Sequence, residues 1–417
     1  MNILGTKPFQ RVVSASSFLT SRRIRTHALL LASCLWGVCA VDYATSGILD
    51  RKGNVKFQDF LQFPISARLI AQGRSAELYS DQVLAREIRS TVGRDTRVYL
   101  QYFYGPQVAV PFIPLLPLPF LAQAAIWAAI SLAMYFACVL LLWKCCPALK
   151  PYGGLIVLAA IAYPPVFHLF VRGQLSATIL LCFTAAYLAF LSRRDWLAGV
   201  ALGLLAFKPQ FLVAIPLVLL LAKAWKPLAG MVVSAGAQLA LTYVYFGRPV
   251  TQAYLFRLFQ SARHPASTEL AFSAIQMHSL HSFWELLIPW HSAVWLMYLL
   301  SSAVLIGIAA GIWKSSSALP LRFSALMLAA VLVNPHLYIY DLLALAPMFL
   351  LLADWSLQNR QHPSKPVLDI SLYLAFLLPL FGPVAYWTHV QASVLVFAAL
   401  LWTLHRMQPR ALDVCLS

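Results

Sequence analysis

Charge is what this chain has least of. Asp, Glu, Lys and Arg make up 11% of its 417 residues and hydrophobic residues make up 61%, whereas a soluble domain is about one-quarter charged and nearer half apolar. A water-soluble fold is excluded. Acids are the scarcer sign, 14 against 31 Lys and Arg, which leaves a formal net charge of +17. The basic residues stand in short stretches between apolar runs and form no interleaved patch, so membrane topology and anionic lipid account for them and no nucleic-acid partner is expected. Internal repeats and low-complexity tracts are also missing, and with them the inverted-repeat pattern of many secondary transporters. The seven cysteines, Cys34, Cys39, Cys138, Cys145, Cys146, Cys182 and Cys415, fall in apolar runs or in segments expected on the cytoplasmic side. None stands in a large outer loop, so no disulfide framework is implied.

What the sequence does have is apolar runs of about 17–22 residues from end to end, each able to cross the hydrocarbon as a helix that satisfies its own backbone. The expected fold is an all-α polytopic membrane protein, and the whole chain, 1–417, reads as one membrane-embedded domain. Spans are read near 28–46, 123–143, 152–170, 176–192, 196–207, 209–222, 228–246, 291–313, 320–335, 337–353, 368–386 and 389–405, about twelve in all. The tail 1–27 holds Lys7, Arg11, Arg22, Arg23 and Arg25 with no acidic residue, so the positive-inside rule places it in the cytoplasm. The first run is read as an uncleaved anchor, with a signal peptide cut near Val38 and Ala40 as the alternative. Twelve crossings return the C-terminus to the cytoplasm and put Arg193/Arg194, Lys223/Lys226, Lys314/Arg322, Arg360/Lys365 and Arg406/Arg410 on the inner side.

Two long outer loops result, about 47–105 and 247–290. In the first, 59–72 reads as an amphipathic helix lying in the interface, with Phe60, Phe63, Ala67 and Ile70 on one face and Gly73 as its stop. The apolar stretch 106–122 holds Pro106, Pro111, Pro114, Pro117 and Pro119. A regular helix would lose several hydrogen bonds there, so the stretch is expected to be broken or re-entrant. The short spans at 196–207 and 209–222, parted by Lys208-Pro209, fit a hairpin whose tip reaches only the outer interface.

Polar residues in this setting are the candidates for chemistry. Asp59, with Gln62 three residues on, reads equally as a capping box or as a base that takes a proton from a nearby hydroxyl. Tyr104, in Tyr102-Phe103-Tyr104-Gly105-Pro106, is an interfacial anchor or a face on which a sugar stacks. Arg172 beside Gly173 either ends a helix or grips a lipid phosphate, with Gln174 orienting a sugar hydroxyl. Lys208 interrupts apolar sequence, which is costly unless it snorkels or pairs, and a lone ammonium there would suit a phosphate leaving group. His278, His281 and Glu285 have metal-ligand spacing on a helix, but sugar contacts or solvation explain them more simply, and neither a metal nor another cofactor is expected. Asn334, His336, Tyr340 and Asp341 lie in the run Asn334-Pro335-His336-Leu337-Tyr338-Ile339-Tyr340-Asp341. It breaks two apolar spans, and Asp341 enters the next one as an intramembrane acid, a concentration of polar groups that points to substrate binding.

In their order and spacing these stretches resemble the family 87 glycosyltransferases, polyprenyl-phosphate-mannose-type enzymes of the membrane GT-C superfamily. The resemblance rests on Asp59-Phe60 through Gly73 and Tyr79, Tyr104-Gly105-Pro106 with Pro117 and Pro119, Gly173-Gln174, Ala198-Gly199 with Gly203 and Lys208-Pro209, and Asn334-Pro335. It implies a GT-C-type bundle that moves a mannose-like hexose, with inversion, from a polyprenyl-phosphate donor to the hydroxyl of a glycan or glycolipid acceptor at the outer face of the cytoplasmic membrane. Asp59 occupies the place of the early acid taken as general base in such enzymes. Lys208 and Arg172 would stabilise the leaving phosphate, while His336, Tyr340 and Asp341 would orient the sugar or the acceptor. Two departures stand out. Many members carry a Ser-Pro, Trp and His pattern where this chain has Asn334-Pro335, His336 and Tyr340, and an Asn-Gln-Ser where it reads Ile275-Gln276-Met277-His278-Ser279. The same hydropathy would also serve a lipid-linked glycan transporter or flippase, or a glycan polymerase or ligase. A transporter gathers its polar groups near the bilayer midplane, whereas here they are expected at one face.

Overall fold

The computed structural model describes residues 19–93, 98, 100–263 and 275–408. Lys7, Arg11, Arg410 and Cys415, together with 94–97, 99 and 264–274 of the two expected outer loops, lie outside the described residues. Among the described residues the chain forms 17 α-helices joined by short loops and 3-10 turns, with no β-strand. Among the described residues six helices are long and apolar enough to cross a membrane: Ser21–Tyr43, Phe120–Lys144, Trp225–Gln260, His291–Lys314, Ile339–Gln358 and Lys365–Thr388. A seventh crossing results if Pro147–Ala162 and Pro164–Arg172, bent by 45°, count as one span. The bend falls at Tyr163-Pro164-Pro165, where neither proline has an N–H to give to the preceding turn. The remaining expected spans fall on apolar helices of 10–17 residues, Ser176–Leu191, Asp195–Phe207, Pro209–Leu221, Leu319–Leu332 and Ala392–Arg406, short of the roughly 20 residues of a straight crossing. The chain is a helical membrane protein, and helix length by itself carries six or seven spans where the sequence suggests about twelve.

The first helix, Ser21–Tyr43, starts within the expected tail, because Thr20 accepts a hydrogen bond from the Arg23 N–H and caps it. Trp36 Nε1 donates to the Ile161 carbonyl at 3.0 Å and the Tyr43 hydroxyl to the Val171 carbonyl at 3.0 Å, tying this helix to the bent pair.

Prolines shape the chain after residue 105. Residues Pro106–Leu115 form a 3-10 helix with Pro111 and Pro114 inside it, and a regular helix resumes only at Phe120. Against it packs the segment expected to be amphipathic, and it is covered on more than its apolar face. A 3-10 turn, Gln58–Leu61, leads into the helix Gln62–Ala71, and Phe60, Leu61, Phe63, Ile65, Ala67 and Leu69 are all at most 1% exposed. Both faces are covered because Pro106–Leu115 closes over the helix and Pro164–Arg172 over the turn. Phe63 stacks on Phe112 at 5.1 Å, and Phe60 meets Phe112 edge-on at 5.6 Å. Each large side chain so buried stabilises the fold by about 1.5–3 kcal/mol.

Small residues set the next contact. The helix Asp195–Gly203 lies backbone to backbone on Trp225–Arg263: a Cβ at Gly203 would stand 2.5 Å from the Met231 carbonyl oxygen, and one at Gly199 would run into the Pro227 backbone. Only glycine permits that approach. The 39-residue helix Trp225–Arg263 kinks at Gly247 and then continues, since no glycine or proline occurs from Val250 to Arg263. The second outer region therefore begins as helix, not as the loop expected from residue 247. From this helix Arg257 reaches back to the first loop, where its guanidinium bonds the Asp81 carboxylate at 2.7 Å and the Tyr79 carbonyl.

Candidate active site

Gly173 ends the helix Pro164–Arg172 in the left-handed conformation, with φ 69°. A Cβ there would stand 2.7 Å from the Phe60 Cβ, so both the turn and the closeness of Gln58–Leu61 demand glycine. The result is that Arg172 and Gln174 flank Asp59. Gln174 Nε2 donates to Asp59 Oδ2 at 3.0 Å, and the Tyr104 hydroxyl donates to Gln174 Oε1 at 3.0 Å. Arg172 Nη1 stands 3.6 Å from Asp59 Oδ1, an ion-pair contact beyond hydrogen-bonding distance. Among the described residues nothing donates a hydrogen bond to Oδ1, and the Asp59 side chain is 15% exposed. One carboxylate oxygen is fixed by a hydrogen bond; the other has only the Arg172 ion-pair contact.

The capping reading of Asp59 is corrected. Its turn comes after Phe57, a left-handed residue with no side-chain cap, and Gln62 Nε2 donates to the Asp59 backbone carbonyl at 2.7 Å. Because the segment opens as a tight 3-10 turn, the carboxylate is released from capping. Tyr102 and Tyr104 are likewise buried, not interfacial anchors, and Tyr104 packs on Phe63 at 5.4 Å.

A second cluster forms where the apolar hairpin breaks. Lys208 lies between two 3-10 turns, Leu204–Phe207 and Pro209–Leu212, because Pro209 cannot extend the helix before it. It does not snorkel and is not alone. Its Nζ donates to Asp341 Oδ1 at 2.5 Å, and Ser176 Oγ donates to the same oxygen at 3.0 Å. In an interior this dry neither charge is stable without the other, so the lone ammonium expected from the sequence is corrected to a neutralised pair. Asp341 Oδ2 is buried without a partner among the described residues. Lys208 Nζ also sits 5.3 Å over the Tyr340 ring, Tyr340 stacks on Tyr338 at 5.4 Å, and His336 meets Tyr338 edge-on at 5.1 Å.

The two clusters meet at the start of the helix Ser176–Leu191. Gln174 serves Asp59 and Ser176 serves Asp341, with only Leu175 between them. Burial first, then the Asp341 and Asp59 carboxylates, hold the Tyr104 phenol well above its ordinary pKa of 10, so it remains a donor and keeps the Gln174 amide turned toward Asp59. His336 is exposed at its turn, yet desolvation by the neighbouring protein first, and the Lys208 ammonium second, push its imidazole below 6.5. It is neutral at physiological pH.

Other candidates stand apart or behind. Asn334 is wholly buried and accepts a hydrogen bond from the His336 backbone N–H at 2.9 Å, so it shapes the turn that carries His336. Asp341, also wholly buried, holds Lys208. His278 bonds Ser393 Oγ through Nδ1 at 2.7 Å, and burial pushes its pKa down to about 3. His278 precedes the helix Leu280–Leu287, and His281 Nδ1 faces Glu285 Oε2 at 3.7 Å, so the three residues do not share one helical face. An antiparallel bridge pairs Met277 with Tyr338, which makes His278 a support behind the His336 turn. Sequence reasoning singles out neither Ser176, Tyr338 nor Arg257. The first two lie beside residues it does name, and Arg257 is a lone cation in an aromatic stretch, a signal available but weak.

A polytopic helical protein whose long first loop and later helix breaks converge on a part-exposed carboxylate and a buried ion pair has the build of a membrane transferase. The family model of glycosyltransferase family 87 matches residues 102–337, more than half of the chain, and the protein belongs to that family. It is therefore a membrane glycosyltransferase. The matched stretch includes Tyr104, Arg172, Gln174, Lys208, His278, Asn334 and His336, while Asp59, Tyr340 and Asp341 lie outside it. No curated protein and no solved structure matches the chain.

Proposed function

We propose that the Asp59 pocket moves a mannose-like hexose, with inversion, from a polyprenyl-phosphate donor to an acceptor hydroxyl on a glycan or glycolipid. The state of Asp59 carries this reading, since Gln174 anchors Oδ2 while Oδ1 accepts no hydrogen bond from the described residues and the side chain is 15% exposed. A hydroxyl donating to Oδ1 gives its proton to Asp59 as its oxygen bonds to the anomeric carbon. On the opposite side the sugar–phosphate C–O bond breaks, and the lipid phosphate departs as a stable anion that needs no general acid. Arg172, part-exposed and held to Asp59 only by a 3.6 Å ion-pair contact, is the cation that meets that phosphate. Lys208 is spent on Asp341 and acts by fixing the Tyr340–Tyr338–His336 face, against which the sugar rests.

The membrane setting is part of the same proposal. The helices shorter than a straight crossing complete a GT-C-type bundle of about twelve spans by thinning the bilayer locally, and residues 1–417 act as one domain. The active site opens on the extracytoplasmic side of the cytoplasmic membrane, away from the basic inner segments. The Pro106–Leu115 3-10 helix lines the cavity that takes the isoprenoid chain, since irregular backbone at membrane depth is tolerated where it borders one. Membrane lipids are the remaining partners, and no cofactor takes part.

The test is Asp59→Asn in purified protein given labelled polyprenyl-phosphate sugars and a membrane lipid extract, with products resolved by mass spectrometry. Transfer is expected to fall by about 10²–10⁴, with membrane insertion and thermal unfolding unchanged. Near-normal turnover would remove Asp59 from the base role, and a product with retained anomeric configuration would end the inverting mechanism.

A further inference from the structure

Between the helix Gln62–Ala71, the end of Asp81–Val92 and the start of Phe120–Lys144 lies a cavity of about 300 Å³. Its lining includes Arg68, Ser90, Thr91, Leu118, Phe120 and Gln123 and none of the residues placed around Asp59. Gln123 is 3% exposed, and its Nε2 donates to the Leu118 carbonyl at 2.7 Å. That bond fixes the amide orientation and leaves Oε1 buried without a donor among the described residues, a condition uncommon enough in folded proteins to point to a missing partner. Arg68 is part-exposed, and among the described residues no acceptor pairs its guanidinium. The hydroxyls of Ser90 and Thr91 donate to the Glu87 carbonyl at 2.8 and 2.9 Å, so toward a ligand they offer lone pairs. The cavity is lined by one forked cation, by two hydroxyl oxygens and by the residue that carries the unpaired Oε1.

Depth narrows the occupant. Phe120 opens a 25-residue apolar helix of membrane length, so the cavity stands where a span meets the headgroup layer. The first turn of that helix also has N–H groups with no partner inside it, which favours an anion nearby. Leu118 at the rim is exposed, and Ile126 and Ile130, one turn apart on the helix, are exposed as well. They form an apolar track for a chain attached to the headgroup.

We propose that this cavity binds the headgroup of a lipid carrying a phosphate and free hydroxyls, with the phosphate on Arg68 and a hydroxyl donating to Gln123 Oε1. The site is separate from the transfer chemistry and does not depend on it. Phosphatidylglycerol and a polyprenyl-phosphate sugar both have this chemistry, whereas phosphatidylcholine has the phosphate without the hydroxyls.

Native mass spectrometry of the full-length protein, released from nanodiscs of defined lipid, tests the proposal. Wild type and Asp59→Asn are expected to retain one phosphatidylglycerol and to lose phosphatidylcholine. Arg68→Gln, which breaks no contact within the described protein, is expected to weaken retention about tenfold or more through loss of the charge-assisted pair, and Gln123→Leu to erase the preference over phosphatidylcholine. Retention unchanged in Arg68→Gln, or phosphatidylcholine held as well as phosphatidylglycerol, would overturn the site. Displacement of phosphatidylglycerol by an equimolar polyprenyl-phosphate sugar supports the headgroup chemistry with the donor lipid as occupant, and resistance to it supports the same chemistry with a resident phospholipid. Because Asp59→Asn keeps the lipid, a failed transfer assay and a failed binding assay are distinguishable.

Discussion

Gly173 joins a helix end to the turn that carries Asp59, and a single methyl group there tests the whole junction. Gly173→Ala adds strain at φ 69° and a clash with Phe60, and is expected to cost about 1–3 kcal/mol of stability. Transfer should fall further than stability, because Gln174 moves off Asp59; comparing thermal unfolding with kcat in detergent separates the two. At the buried pair, Lys208→Met leaves Asp341 uncompensated and is expected to destabilise by about 3–5 kcal/mol, while Lys208→Met with Asp341→Leu recovers much of the loss. A double variant that melts below both single ones would deny the pair its structural role. The residues themselves are largely legible from sequence, because a carboxylate, a lysine or a polar run is conspicuous in apolar surroundings. Their partners are not. Lys208 reads as a lone ammonium because nothing within a few residues of it is acidic, and Asp341 lies 133 residues away.

Short irregular elements position this site more than the long helices do. The 3-10 turns Gln58–Leu61, Leu204–Phe207, Pro209–Leu212 and Ile339–Leu345 carry or flank Asp59, Lys208 and Asp341. Two helix breaks are visible in the sequence, at Lys208-Pro209 and in the proline-rich stretch after residue 105, since a missing N–H is a local fact. In the segment 59–72 amphipathic spacing reveals an apolar face without saying how much of the other face is covered. Arg257 tests coupling between elements. Its bonds to Asp81 and the Tyr79 carbonyl hold the start of Asp81–Val92 to the kinked helix Trp225–Arg263. Arg257→Ala is therefore expected to speed amide hydrogen exchange in 81–92 while leaving Phe120–Lys144 unchanged. Equal protection in variant and wild type would show that the latch bears no load.

The molecule as a whole should lose stability in mild acid, and His278 gives the sign. Its folded-state pKa is about 3 against an ordinary 6.5, so between those values the unfolded chain binds a proton that the folded chain refuses. Stability is full above 6.5 and declines as pH falls toward 3. The unfolding midpoint is expected to drop steadily from about pH 6.5 to pH 4, and His278→Asn to flatten part of that slope. A midpoint indifferent to pH in that window, in wild type, would show that His278 is not sealed from protons.

By itself the sequence determined the class of molecule, a helical membrane protein, and two of the places where its helices break, because the length of an apolar run and the absence of a proline N–H are properties of a few adjacent residues. Only the tertiary structure decided that Gln174 reaches across 115 residues to Asp59, that Lys208 is neutralised by Asp341, and that His278 faces Ser393. Which polar groups share a space depends on how distant helices pack, and no local spacing encodes that.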